Sequence, residues 1–216
     1  MGVVGHASAC LWVCISLSAH SAVVDRIAVT VGKQVITESD LIRDLRVAAL
    51  IDRKPVDLSP TAKREAAVRL VDRILMLREA SDSHLELTSS GDDARLLAEE
   101  KSKFGSDEEY RKALADYSIS EADLSEHLLS GWRALRFTEL RFRPEIQVSD
   151  ADLREYYENL AANWRKGGRA SIPTFEESRT QVEQLATEDR TIKALDMWLA
   201  TARESNEIQY REAVFK

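Results

Sequence analysis

Glycine and proline are scarce in this chain, 8 and 4 among 216 residues. Sandwiches and barrels spend those residues on many tight turns, so an all-β architecture is disfavoured and long uninterrupted helices are allowed. Positive charge is also in deficit: 30 Lys and Arg stand against 37 Asp and Glu, a net charge of −7. Holding a phosphate backbone depends on clustered Lys and Arg that release counterions, so nucleic acid is not the expected partner. Several chemical signatures are missing from the sequence. It has no GxxxxGK[ST] phosphate loop, no GxGxxG after a strand, no HExxH and no GxSxG. No cofactor and no metal are therefore expected. His84 and His127 lack a second histidine at helical spacing and read as structural or solvent-facing. The acidic doublets, such as Asp92-Asp93 and Glu99-Glu100, lack the alternating oxygens of a calcium loop.

Cysteine occurs only at Cys10 and Cys14, inside an opening stretch, residues 1–22, that holds no Asp, Glu, Lys or Arg. Its apolar part, roughly Ala7 to Leu17, is shorter than the ~20 residues a membrane span needs, and it matches the apolar region of a secretory signal. Small residues for cleavage are present as Ala19-His20-Ser21 before Ala22, although no basic residue precedes the apolar part. The expectation is a signal over residues 1–21, export, and no stable membrane insertion afterwards. The alternative is a buried N-terminal segment of a cytosolic protein. Val13 occupies the position where a lipoprotein carries a small residue, which argues against lipid attachment at Cys14.

Residues 23–31, VVDRIAVTV, alternate with period two and place Ile27, Val29 and Val31 on one face, as a strand does. Gly32-Lys33 suits a type II′ hairpin, with Gln34-Val35-Ile36 as the return strand. Helix starts follow, each a hydroxyl three residues before an acid: Thr37/Asp40, Ser90/Asp93, Ser106/Glu109, Ser120/Asp123, Ser149/Asp152 and Thr174/Glu177. Ser59-Pro60 adds a cap followed by proline at the first helical position. About seven helices are expected. Ala67, Leu70, Val71, Ile74 and Leu75 form one core-facing stripe, with Arg69, Asp72, Arg73 and Arg78 opposite. The last helix should run from about Phe175 to Glu204, about 45 Å, with Leu185, Ile192, Leu195, Trp198, Leu199 and Ala202 inward. Ile208-Gln209-Tyr210 alternates as a strand. It needs a partner, so the two ends of the folded unit should meet in one small sheet.

Charge is uneven. Residues 82–123 hold twelve acids and five bases, which accounts for the net charge of the whole chain. Beyond them, residues 132–143 interleave aromatic side chains with Arg133, Arg136, Arg141 and Arg143. Such a run reads either as a helix with Leu128, Trp132, Leu135 and Phe142 inward, or as a surface for another chain, where Arg and aromatics are enriched. The binding candidates are Trp132, Arg136, Phe137, Phe142 and Trp164, the last lying in the basic stretch NWRKGGRASIP.

Taken in order, VVDRIAVTVGKQVITESDL, residues 71–80 (VDRILMLREA), residues 148–157 (VSDADLREYY), Pro173-x-Phe175-Glu176-Glu177, Ala194-Leu195-x-x-Trp198-Leu199 and Ile208-x-Tyr210 resemble the SurA-like periplasmic chaperone family over nearly the whole of residues 22–216. The resemblance implies a mainly α, multi-helix chaperone module with a small sheet made of an N-terminal hairpin and a C-terminal strand. It further implies an ATP-independent holdase whose clients are unfolded or extended outer-membrane or exported polypeptides. The relatives carry parvulin-type prolyl isomerase domains between the Tyr-Tyr helix and the last helix. Here only 15 residues separate Asn159 from Phe175. A linker at about 160–173 containing Gly167-Gly168 is expected in their place, and no catalytic residue is carried over. Two other functions remain open: an accessory subunit with one dedicated folded partner, and a prolyl isomerase.

Overall fold

A computed structural model describes residue 2 and residues 25–169 and 171–216. The signal expected over residues 1–21, with both cysteines, lies outside the described residues apart from Gly2.

The alternating N-terminal segment forms the expected hairpin, β1 (Ile27–Val31) and β2 (Gln34–Thr37), joined by Gly32-Lys33. Gly32 has φ +55 and Lys33 is not among the residues with positive φ, as a type II′ turn requires. β3 (Ile208–Tyr210) pairs antiparallel with the other side of β1, with Val31 opposite Ile208, so the sheet order is β2-β1-β3. One strand detail departs from the sequence pattern. The register shifts between Ile27 and Val29, a bulge at Ala28 that turns Ala28 inward and leaves Ile27 44% exposed.

Seven α-helices follow among the described residues: α1 (Glu38–Asp52), α2 (Pro60–Asp82), α3 (Asp92–Lys101), α4 (Asp107–Asp116), α5 (Glu121–Arg141), α6 (Asp150–Lys166) and α7 (Phe175–Ser205). The fold is mainly α with one small antiparallel sheet. Thr37, Ser120, Ser149 and Thr174 form complete capping boxes with Asp40, Asp123, Asp152 and Glu177, so two orphan amides are satisfied at each start. Ser59 and Ser106 cap α2 and α4. The expected Ser90 cap is displaced. Gly91 at φ +87 precedes α3, and the Asp92 carboxylate accepts from the Ser89 amide at 2.7 Å.

Four apolar clusters hold these elements. The inner face of the sheet (Val29, Val31, Ile36) packs on Leu41 of α1, on Ala66, Ala67, Val71 and Leu75 of α2, and on Val214 in a 3-10 turn at Glu212–Phe215. A fully buried aliphatic side chain of this kind contributes about 1.5–3 kcal/mol. Val47 and Leu50 of α1 meet Tyr110, Leu114 and Leu124 of α4 and α5. Met76 and Ala80 of α2 meet Phe137 and Phe142 at the C-terminal end of α5 and Leu199 of α7. Finally, Leu153 of α6 packs on Phe175, Val182 and Ala186 of α7.

α5 thus takes part in two clusters. Leu124 and Phe137 lie 13 positions apart, about 220° round the helix at 3.6 residues per turn, so its buried face rotates between its two ends. A single inner stripe through Leu128, Trp132 and Leu135 does not extend to the far end, where Leu135 is 52% exposed. α7 shows a smaller departure: Leu199 is buried and Ile192 is exposed. α6 extends to Lys166 because Leu153, Tyr156, Tyr157, Leu160, Ala161 and Trp164 keep helical spacing, with Leu153 and Ala161 buried. The connection to α7 is residues 167–174, shorter than the linker the sequence suggests.

Candidate functional site

The positions of the five binding candidates decide which can meet another molecule. Phe137 and Phe142 cannot, because both are buried in the α2–α5–α7 cluster. Phe137 stacks at 5.7 Å from Phe142 and 5.2 Å from Trp198, and this aromatic contact fastens α5 to α7. Trp132 is half-buried. Its indole N–H donates to the Asp92 carboxylate at 3.2 Å and the Arg95 guanidinium lies 4.9 Å above the ring, so it ties α3 to α5. The Asp92 carboxyl is held below its ordinary value, chiefly by the Ser89 amide and then by Arg95. Arg136 is half-buried with no ion pair among the described residues. Trp164 is half-buried near the C-terminal end of α6, with Arg169 stacked 4.7 Å over it. The five do not form one surface.

A groove appears instead where α2 passes beneath β2, α1 and α5. Toward α1 and α5 it is a cleft of about 460 Å³, floored by Leu70, Ile74 and Leu77 of α2 and backed by the buried Ile36 of β2 and Val47 of α1. Toward the hairpin turn it continues as a hollow of about 570 Å³ beside Gly32, Lys33, Gln34, Arg78, Ser81 and Asp82. Ile74 and Leu77 line both, so the two parts adjoin along α2. The apolar stripe of α2 therefore has two uses. Ala67, Val71 and Leu75 are buried in the core, whereas Leu70 and Ile74 are half-buried and Leu77 is 38% exposed along the groove.

The deep wall of the cleft holds a buried charge cluster. Asp44 of α1, with 4% of its side chain exposed, accepts from Arg73 Nη1 at 2.9 Å and Arg69 Nη2 at 3.1 Å, and His127 Nδ1 of α5 lies 3.1 Å away. Burial alone raises the Asp44 carboxyl. The His127 hydrogen bond and the charges of Arg73, His127 and Arg69 outweigh it and bring the pKa down to about 2. Asp44 therefore stays ionised and ties α1 to α2 and α5. The sequence carries a sign of this. Leu41, Asp44 and Val47 share one face at helical spacing, and an acid in a core-facing stripe requires partners.

At the mouth, Arg43 reaches Asp40 of its own helix at 2.9 Å and Asp123 of α5 at 3.0 Å. One guanidinium thus serves two carboxylates, and the neighbouring Glu126 is exposed with no ion pair among the described residues. This end of the groove is acidic.

Above the groove runs an open strand edge. Just past β1 the Gly32 amide donates to Glu207 O, and the Ala28 carbonyl of β1 accepts from the Arg211 amide, so alternate backbone groups of that strand face β3 and the others face β2. The register places Val29 and Val31 opposite Ile36 and Gln34. Between those two bonded pairs, Val35 directs its N–H and C=O away from the sheet, where no strand pairs with it among the described residues.

No helix among the described residues is long and apolar enough to cross a membrane, and they contain no cluster of potential metal ligands. Fold and groove together define a mainly helical protein with an elongated, partly apolar surface channel beside a strand edge. No protein-family model, no curated protein and no solved structure matches the chain.

Proposed function

We propose that the protein is an ATP-independent chaperone module, exported by its N-terminal segment to the periplasm, that holds unfolded or extended outer-membrane or exported polypeptides. The observation that carries this reading is the groove along α2. It offers Leu70, Ile74 and Leu77 as an apolar floor next to a charged rim. Such a channel takes side chains of many shapes, and its affinity is modest because holding must be reversible. The resemblance of residues 22–216, in order and spacing, to SurA-like chaperones supports the same reading. So does the short connection 167–174, which leaves no room for a folded isomerase between α6 and α7.

The test is aggregation of an unfolded outer-membrane protein on dilution from urea. The purified protein, without nucleotide, should suppress light scattering at near-stoichiometric ratios. Unchanged scattering at a severalfold excess would refute the proposal. A proline-limited refolding assay separates the isomerase alternative, since a catalyst accelerates the slow phase at substoichiometric amounts.

A further inference from the structure

The groove does not by itself specify the conformation of what fills it, but the strand edge beside it does. β2 reads Gln34-Val35-Ile36-Thr37, a short edge strand that carries no proline, no charged side chain and no covering element among the described residues. Val35 is 48% exposed and presents one N–H and one C=O outward. An extended backbone satisfies a donor and an acceptor on the same residue, as in strand addition. Side chains of an added strand alternate. One set would follow the side of Gln34 and Ile36, over Ile74 and Leu77 in the groove, and the other set would stay in water with Val35. The acidic end at Asp40, Asp123 and Glu126 has one guanidinium for three carboxylates, so it favours a basic side chain there.

We infer that an extended polypeptide segment adds to β2 as a fourth strand, bonded to the Val35 backbone, with alternate apolar side chains on Ile74 and Leu77 and a Lys or Arg toward Asp123 and Glu126. The inference rests on the reading of the protein as a binder of extended chains and specifies how they are held. Specificity for apolar alternation follows from the groove, and tolerance of sequence follows from backbone pairing.

The experiment follows the Val35 amide by hydrogen exchange in the full, labelled protein, alone and with a synthetic peptide that alternates valine and threonine and carries lysines at one end. The amide should exchange freely alone and slow by about tenfold or more when the peptide saturates. N-methylation walked along the peptide should weaken binding about tenfold at the residue opposite Val35, whose N–H donates to the Val35 carbonyl, and little at its two neighbours, whose N–H groups point away from β2. Val35→Pro removes only the outward donor, a tolerated change on an edge strand, and should weaken peptide binding about tenfold with an unchanged circular dichroism spectrum. Replacing the lysines by glutamates should weaken binding most at low salt. If Val35→Pro does not fold, the exchange and N-methylation results on the unaltered protein still decide. A Val35 amide already protected without peptide would overturn the inference by assigning the edge to the chain's own first residues or to a second copy, which sedimentation separates. N-methyl effects of equal size at every position would also overturn it. Retained suppression of aggregation with no Val35 protection sinks this inference alone, whereas loss of suppression in the unaltered protein sinks the chaperone reading as well.

Discussion

Replacing Asp44 by Asn tests the buried charge cluster, and its size can be worked from the structure. The carboxyl sits at about 2 against an ordinary 3.8. At about 1.4 kcal/mol for each tenfold, that gap corresponds to about 2 kcal/mol of stability above pH 4. Deleting the charge also leaves Arg73, whose side chain is largely buried, without its counter-ion. Orphaning one partner of a buried pair adds to the loss, so about 2–4 kcal/mol is expected at pH 7. The sign with pH is fixed. Because the folded value is depressed, the contribution is complete above the unfolded pKa and disappears as pH falls through the folded one. By pH 3 the unfolded chain has largely bound its proton while the folded protein has not, and about 1 kcal/mol is already gone. The assay is urea unfolding at pH 7 and pH 3, followed by circular dichroism. The gap between wild type and Asp44→Asn should shrink by about 1 kcal/mol at the lower pH, because the variant does not titrate at this position. A gap below about 1 kcal/mol at pH 7, or one that does not change with pH, refutes the reasoning.

Phe137→Ala should cost about 3–5 kcal/mol and abolish near-UV dichroism from the Phe137–Trp198 contact, since it opens a cavity where α2, α5 and α7 meet; a surface role would give less than 1 kcal/mol, read by urea midpoint. The Tyr110 hydroxyl is buried with no hydrogen-bond partner among the described residues, and its pKa is pushed up to about 12, first by burial and then by the neighbouring Glu121. Tyr110→Phe should therefore leave stability unchanged or raise it by up to about 1 kcal/mol, and a fall in melting temperature would show that the hydroxyl is bonded. Leu77→Asp, on the groove floor, should change stability by less than about 1 kcal/mol while reducing suppression of aggregation severalfold; equal suppression would move client binding away from α2.

The sequence makes the elements easier to read than their packing. Hydroxyl-to-acid spacing marks the starts of α1, α5, α6 and α7 because a capping box is a local event, complete within four residues. The meeting of β1 with β3 follows from a similar economy, since the lone C-terminal strand needs hydrogen-bond partners. The site was less legible. Aromatic and Arg residues leave 132–143 readable as an inner helical stripe or as a surface; Phe142 lies inward as the stripe requires, and Phe137 is drawn inward as well where α5 passes from one cluster to the next. That rotation depends on how three helices cross, and no periodicity within α5 alone reveals it. The groove is hidden for a related reason. Leu70, Ile74 and Leu77 share the stripe of α2 with true core residues, and only the placement of β2 and α5 decides which of them stays covered.

The position of β1 between β2 and β3 bears on how the molecule assembles. Val31 and Ile208 are neighbours in the sheet but about 177 positions apart in the chain, and closing so long a loop costs about 5 kcal/mol of entropy. The helices, by contrast, are stabilised largely by near neighbours. Helical regions with local contacts form in microseconds to milliseconds, whereas such distant strand pairing is slow. During synthesis β1 and β2 emerge about 170 residues ahead of β3, so the central strand waits with one side open until residues 208–210 follow. The final step of folding is then the arrival of β3, and its rate should depend on how quickly the helices bring residues 208–210 back to the hairpin.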